Sequence, residues 1–323
     1  MFILGAGAAH PDNVLTGDTL ASLGVSSSSA DQALLGRFGV RARRTTLPLE
    51  YLRSTKNPDV LEARKVATAT PTSLAALAAK EAMSRAGISP EQLGLIIADC
   101  ATPYQTCPSE AQRIGGALGL KVPAYDVTAG LGAIPLFLDM LCSWKPERVP
   151  EYVLCVSTNT PTQQVRYASD PLSAVVFGDA ASALVVSAQH QGKLKIQGSF
   201  VERDGSVRPP VSIVRSISLA AEKLVSEQIL RDRLSASLLR VGSKRGAYFV
   251  GPQLFAGDCR CIAASLSISE QQVISPTVEG GFALGASAGC ALADLWPNLR
   301  SGEQVALLHD GDGTSSGALL EAV

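Results

Sequence analysis

The stretch Val122-Pro123-Ala124-Tyr125-Asp126-Val127-Thr128-Ala129-Gly130-Leu131-Gly132 carries the fold. A short β-branched and aromatic run gives way to small residues and then to an apolar run over 133–144. That order spells strand, elbow and helix. Aliphatic runs at 93–98, 152–157, 183–187, 248–250 and 305–308 have the composition of strands covered on both faces. Helical stretches lie between them. One opens at Pro71-Thr72-Ser73 and stops at Gly87; others cover 109–118, 257–266 and, as a longer amphipathic stretch, 217–239.

The strand–elbow–helix order recurs half a chain later. A strand over 273–278 leads into a Gly-rich turn, an apolar helix and then Glu303-Gln304-Val305-Ala306. Tyr248 answers Leu95, Leu266 answers Leu118 and Val305 answers Val153, at separations of 148 to 153 residues. Three elements in one order at nearly one offset predict a duplicated α/β unit. The join is expected near 170–179, dividing the chain into halves 1–172 and 173–323.

Composition bounds the function. The 323 residues are 46% hydrophobic and 18% charged, against a usual charged share of about 25%. Disorder is excluded, and a low-charge surface favours association with another protein. Lys and Arg total 28 against 29 Asp and Glu, so no basic field exists for nucleic acid or an anionic membrane. No run approaches the ~20 apolar residues of a membrane helix. Met1-Phe2-Ile3-Leu4-Gly5 lacks the cationic flank of a signal peptide. Seven scattered cysteines form no disulfide framework, and Cys259-Arg260-Cys261 has no second pair to complete a zinc site. The expectation is a reduced, cytoplasmic protein with no metal and no cofactor.

At Ala124–Gly130 and at Val175-Val176-Phe177-Gly178-Asp179-Ala180-Ala181 the chain resembles the β-ketoacyl-ACP synthase III branch of the thiolase superfamily. Leu4-Gly5-Ala6-Gly7 is similar to that family's first strand and turn, Arg37-Phe38-Gly39-Val40-Arg41 to its early Arg motif, and residues 311–317 to its Gly-rich C-terminal hairpin. The ordered set spans essentially the whole chain. It implies a thiolase-like α/β fold: two pseudo-symmetric βαβαβαββ halves in five αβαβα layers. Such enzymes use a cysteine at a strand-to-helix elbow to attack an acyl thioester. A histidine and an asparagine then stabilise the carbanion left by decarboxylation.

Carried onto this sequence, the cysteine position holds Leu131, the histidine position Pro252 beside Gln253, and the asparagine position Ala283. No cysteine lies between Cys107 and Cys142, and no histidine between His190 and His309. The resemblance therefore implies a noncatalytic subunit, comparable to polyketide chain-length factors or the inactive partner of a quinolone-forming pair. Its partner would be an active synthase III-like protein in a heterodimer or heterotetramer, with a homodimer and contact with an acyl carrier protein as further expectations. Cys107, before the Pro108-Ser109 helix start, is expected to reach the partner's acyl pocket, where its small size sets chain length. Thr128, Gly130 and His309 fall beside that pocket. The adenine-stacking tryptophan is replaced by Ala33, although Arg37 and Arg41 remain as carrier or coenzyme contacts.

Competing motifs are weaker. Gly5-Ala6-Gly7 invites a dinucleotide site, but His10 takes the place of the third glycine. Gly285-Ala286-Ser287-Ala288-Gly289 matches a nucleophile elbow, with Asp294 and His309 following in hydrolase order. This supports an alternative acyltransferase or hydrolase using Ser287 and His309; the plainer reading is close helix packing. Asp310-Gly311-Asp312-Gly313 reads as a turn rather than a calcium loop, Ser26–Ala30 as a mobile loop, and Arg41-Ala42-Arg43-Arg44 as a basic cluster, either a solvated turn or a contact for a carrier protein's acidic helix or a phosphopantetheine phosphate.

Overall fold

The computed structural model describes residues 1–25, 29–128, 130–206, 209–213, 216–243, 246–311 and 313–323. Ser26–Ser28, Ala129 and Asp312 lie outside the described residues; Ser29 and Ala30, expected in a loop, instead open the helix Ser29–Phe38.

Nine strands form one mixed sheet: β1 (Phe2–Ala9), β2 (Leu95–Asp99), β3 (Ala124–Asp126), β4 (Val153–Asn159), β5 (Ala180–Ser187), β6 (Leu194–Arg203), β7 (Tyr248–Val250), β8 (Gln304–His309) and β9 (Thr314–Ala322). Their order is β7-β8-β9-β6-β1-β5-β4-β2-β3. Six helices pack on it: α1 (Pro71–Ala86), α2 (Glu110–Ala117), α3 (Ala133–Ser143), α4 (Glu227–Val241), α5 (Ala256–Ser265) and α6 (Ala286–Leu295).

The order is symmetric about the β1/β6 seam, which is held by only two register pairs, Phe2 with Lys195 and Ile3 with Leu194. Moving outward, β1-β5-β4-β2-β3 and β6-β9-β8-β7 repeat the same directions, two antiparallel junctions followed by parallel ones. The counterpart of β3 in the second copy shrinks to a parallel bridge between Phe249 and Val273. Here the expected strand over 273–278 fails. Pro276 brings no N–H to a ladder, and a short helix, Thr277–Gly280, follows it.

Helices α3 and α6 lie between the two sheet wings. Their Ile134, Phe137, Leu138, Ala291 and Leu292 share one core with Val153, Leu184, Val305 and Leu320. Helices α1 and α2 cover the opposite face of the first wing, where Ala75, Ala78, Ala82 and Ile114 meet Ile96, Leu154 and Val185. Helices α4 and α5 cover the second wing. Five αβαβα layers result. Strands β2, β4 and β5 are buried along their full length, which is why they read as unbroken aliphatic runs. By pairing, β5 sits with β1 and β4, and we propose that the halves join in the 188–193 turn rather than near 170–179.

Local chemistry sets the helix ends. Thr70 and Ser73 form a capping box at α1, and Gly87 closes it at φ 69°. The stretch 217–239 is not one helix. Ile217–Leu219 pairs as a strand with Val211–Ile213, and α4 starts only after Ser226, whose hydroxyl accepts from the Ile229 N–H. Leu4–Gly7 makes no turn; all four residues lie within β1. A Cβ at Gly5 would sit 2.0 Å from the Ala82 carbonyl oxygen, so this glycine serves helix-on-strand contact and not a nucleotide. The basic turn is also corrected: Ala42–Thr45 is a strand, with Arg43 buried.

Candidate functional site

The site forms at the elbow between β3 and α3. β3 ends on Asp126, whose carboxylate accepts from the Glu110 N–H at 2.8 Å and the Ala111 N–H at 2.7 Å, locking α2 onto the strand. Ser109 and Gln112 add a capping box at the same helix start. Gly130, at φ 63°, then reverses the chain ahead of α3. Leu131 follows, 8% exposed, and shares an apolar cluster with Phe282 and Leu284. A cavity of about 200 Å³ opens there, walled by Ala101, Gly130, Leu131 and Leu284, and by Pro209, Val211 and Ile213 from the ribbon between β6 and α4.

These walls are hydrocarbon. Leu131 has no ionisable proton and no lone pair for attack on a thioester. Cys100, next to the lining residue Ala101, is buried, and desolvation, with Glu110 and Asp99 adding to it, raises its thiol well above the usual range. Burial likewise pushes Cys155 up to about 12, and Cys259 and Cys290 higher. Beneath the elbow, the Asp99 carboxyl accepts from Ser157 Oγ at 2.7 Å. A Cβ at Gly285 would meet both this carboxyl and Ala133. No side chain lining the cavity offers a hydrogen-bond donor.

Pro252 and Ala283, the positions that the resemblance assigns to the histidine and asparagine, do not line the cavity. Pro252 is buried ahead of α5, and the amide of Gln253 is committed, donating to the Gly251 and Ile274 carbonyls and accepting from Thr277 Oγ1. Ala283 packs in a separate cluster with Ala180, Ala286 and Cys290. Its neighbours Phe282 and Leu284 are the ones that join Leu131, because the turn swings Leu284 to φ 53°.

The alternative nucleophile fares no better. Ser287 is 3% exposed, and its Oγ accepts from the Ala283 N–H at 2.9 Å, capping the turn. Asp294 lies beside Glu81 and Arg85, and burial raises its carboxyl pKa. His309, 6% exposed, packs its ring against Gly132 directly after the elbow. A Cβ at Gly289 would fall 2.2 Å from Ser182 Oγ, so this motif's glycine allows close packing.

Arg37 is a structural pin. Its Nε donates to Asp258 Oδ2 at 2.8 Å and its second amino group to the Val225 carbonyl at 2.7 Å, with the guanidinium over the Phe255 ring. These contacts tie the side chain to the second half of the fold. Arg41 is largely exposed and pairs with Glu279 at 2.5 Å. Cys107, Pro108 and Thr128 are exposed, as is Tyr125 on the edge strand β3. The lining residues Val211 and Ile213 escaped the sequence reading; the alternation Val211-Ser212-Ile213 after Pro209-Pro210 was their signal. Among the described residues no three His, Cys, Asp or Glu side chains are grouped to hold a metal, and no helix is long and apolar enough to cross a membrane.

No protein-family model matches the chain. It is 25% identical to a beta-ketoacyl-[acyl-carrier-protein] synthase III of Chlamydia caviae over an alignment of 342 residues, covering 98% of this chain and 95% of that protein. It is also 25% identical to the synthase III of Citrobacter koseri, covering 98% of each. The crystal structure of the Aquifex aeolicus 3-oxoacyl-[acyl-carrier-protein] synthase III superposes with a TM-score of 0.81 at 25% identity, over 99% of both chains.

Proposed function

Since this chain is a β-ketoacyl-ACP synthase III-like member of the thiolase superfamily of condensing enzymes, we propose that it serves as a noncatalytic subunit. It pairs with an active synthase III-like protein and shapes that partner's acyl pocket, in polyketide, fatty-acid-like or quinolone-type biosynthesis. One observation carries the reading: the elbow that should offer a thiol offers Leu131, closed in by Phe282 and Leu284. Supporting it, Pro252 supplies no imidazole, and no side chain in the cavity wall can donate to an oxyanion. The exposed β3 edge, with Cys107 beside it in the loop entering α2, is the surface on which pairing would occur.

Co-expression with a cysteine-bearing synthase III-like protein from the same source tests this. A stable complex by native mass spectrometry, with an altered product chain length, supports the role. A monomer or homodimer that leaves the other protein's activity and products unchanged refutes it.

A further inference from the structure

A second cavity shares no lining residue with the one at Leu131. It holds about 670 Å³, against about 200 Å³. It lies between the helices Gly17–Ser22 and Ser29–Phe38, with Val175 of the helix Pro171–Val176 on its far side. Leu20, Val25, Leu35, Val40 and Val175 supply apolar walls. Its volume falls in the range of about 300–1,000 Å³ typical of small-molecule sites.

Arg43 also lines this cavity, and its charge is unusual. The residue is 3% exposed. One amino group donates to the Val175 carbonyl at 2.5 Å, the other reaches the Leu15 carbonyl at 3.4 Å, and Nε has no partner. No carboxylate pairs with it among the described residues. A buried cation without a counter-ion is costly, so an anion bound beside it gains what the fold leaves unmet. Burial already lowers the guanidinium pKa to about 10. At the rim, Arg41 and Glu279 neutralise each other.

From this arrangement we infer that the cavity binds a small anionic amphiphile, its oxyanion held by the Arg43 charge and its apolar body against Leu20, Val25, Leu35, Val40 and Val175. Binding at this cavity does not depend on a protein partner.

Isothermal titration with decanoate, decyl phosphate and decanol tests it. Saturable 1:1 binding of at least one of the two anions is expected, with decanol about tenfold or more weaker; which anion binds separates a carboxylate from a phosphate head. Ala21→Trp fills the cavity from its exposed wall and should weaken the anion about tenfold or more at unchanged melting temperature. Arg43→Gln should erase the preference over decanol; if that variant fails to fold, Ala21→Trp and the decanol comparison still decide. Absence of saturable binding by both anions, equal binding of decanol, or binding indifferent to Ala21→Trp would overturn the inference.

Discussion

The imidazole of His309 rests on Gly132: a Cβ on that glycine would lie 2.7 Å from His309 Cδ2 and 3.1 Å from Ser316 Oγ. The contact joins the end of β8 to the start of α3, one residue past Leu131. It fixes the elbow by close packing between the two halves of the chain.

Gly132→Ala should therefore displace either the ring or the helix start. The expected destabilisation is about 1–3 kcal/mol, as for other overpacked sites. Gly116→Ala is the matched control, since nothing approaches within 4 Å of a Cβ there; it should be neutral or slightly stabilising. Urea denaturation checks both, and equal effects would contradict the packing argument.

Leu131→Cys restores a thiol at the N-terminus of α3, where the helix end favours the thiolate. Acylation by an acyl thioester is expected, seen by intact mass against a background limited to the exposed Cys107, Cys142 and Cys261. Carbon–carbon bond formation is not expected, because Pro252 and the Ala283 turn still lack the histidine and the carboxamide. Condensation by this single variant would show that the remaining machinery is intact.

Asp179 makes stability depend on pH. Its buried carboxyl accepts from the N–H and hydroxyl of both Thr46 and Thr162, yet desolvation outweighs these four bonds and raises its pKa to about 6. An unfolded carboxyl titrates near ~4. The folded protein thus holds this proton more tightly. The associated stability is complete below pH ~4 and is lost as pH climbs through about 6, up to about 3 kcal/mol. Asp179→Asn removes the titration. The wild-type advantage over this variant should be greatest in acid and shrink toward pH 7 in chemical denaturation. An advantage that grows with pH would reverse the assignment.

Cys107 is exposed in the single chain, so Cys107→Phe should leave its melting temperature unchanged. In the complex with an active partner, the larger side chain should shorten the acyl chain in the product, as mass spectrometry of products would reveal. An unchanged product distribution would remove Cys107 from the pocket.

Much of this was legible in the residues. Strands buried on both faces, such as β4 and β5, announce themselves as aliphatic runs, and the half-chain offset of Val153 and Val305 announces the duplication. Long-range pairings carry no such signal. Arg37 and Asp258 are 221 residues apart, so no local pattern announces that they pair. Arg43 looks like one more surface charge until the pairing of Ala42–Thr45 with Asn13–Thr16 is known, its own side chain lying buried. The facing of Ala283 was hidden for a different reason. A left-handed Leu284 turns the chain so that alternate residues enter different clusters, and nothing in its side chain forecasts that backbone.

The purified chain, free of any cysteine-bearing synthase III-like protein, should be incubated with acyl-CoA, malonyl thioester and acyl carrier protein, and the mixture assayed for β-ketoacyl product. No product is expected until a cysteine-bearing partner is added. Turnover by the chain alone would contradict the noncatalytic role.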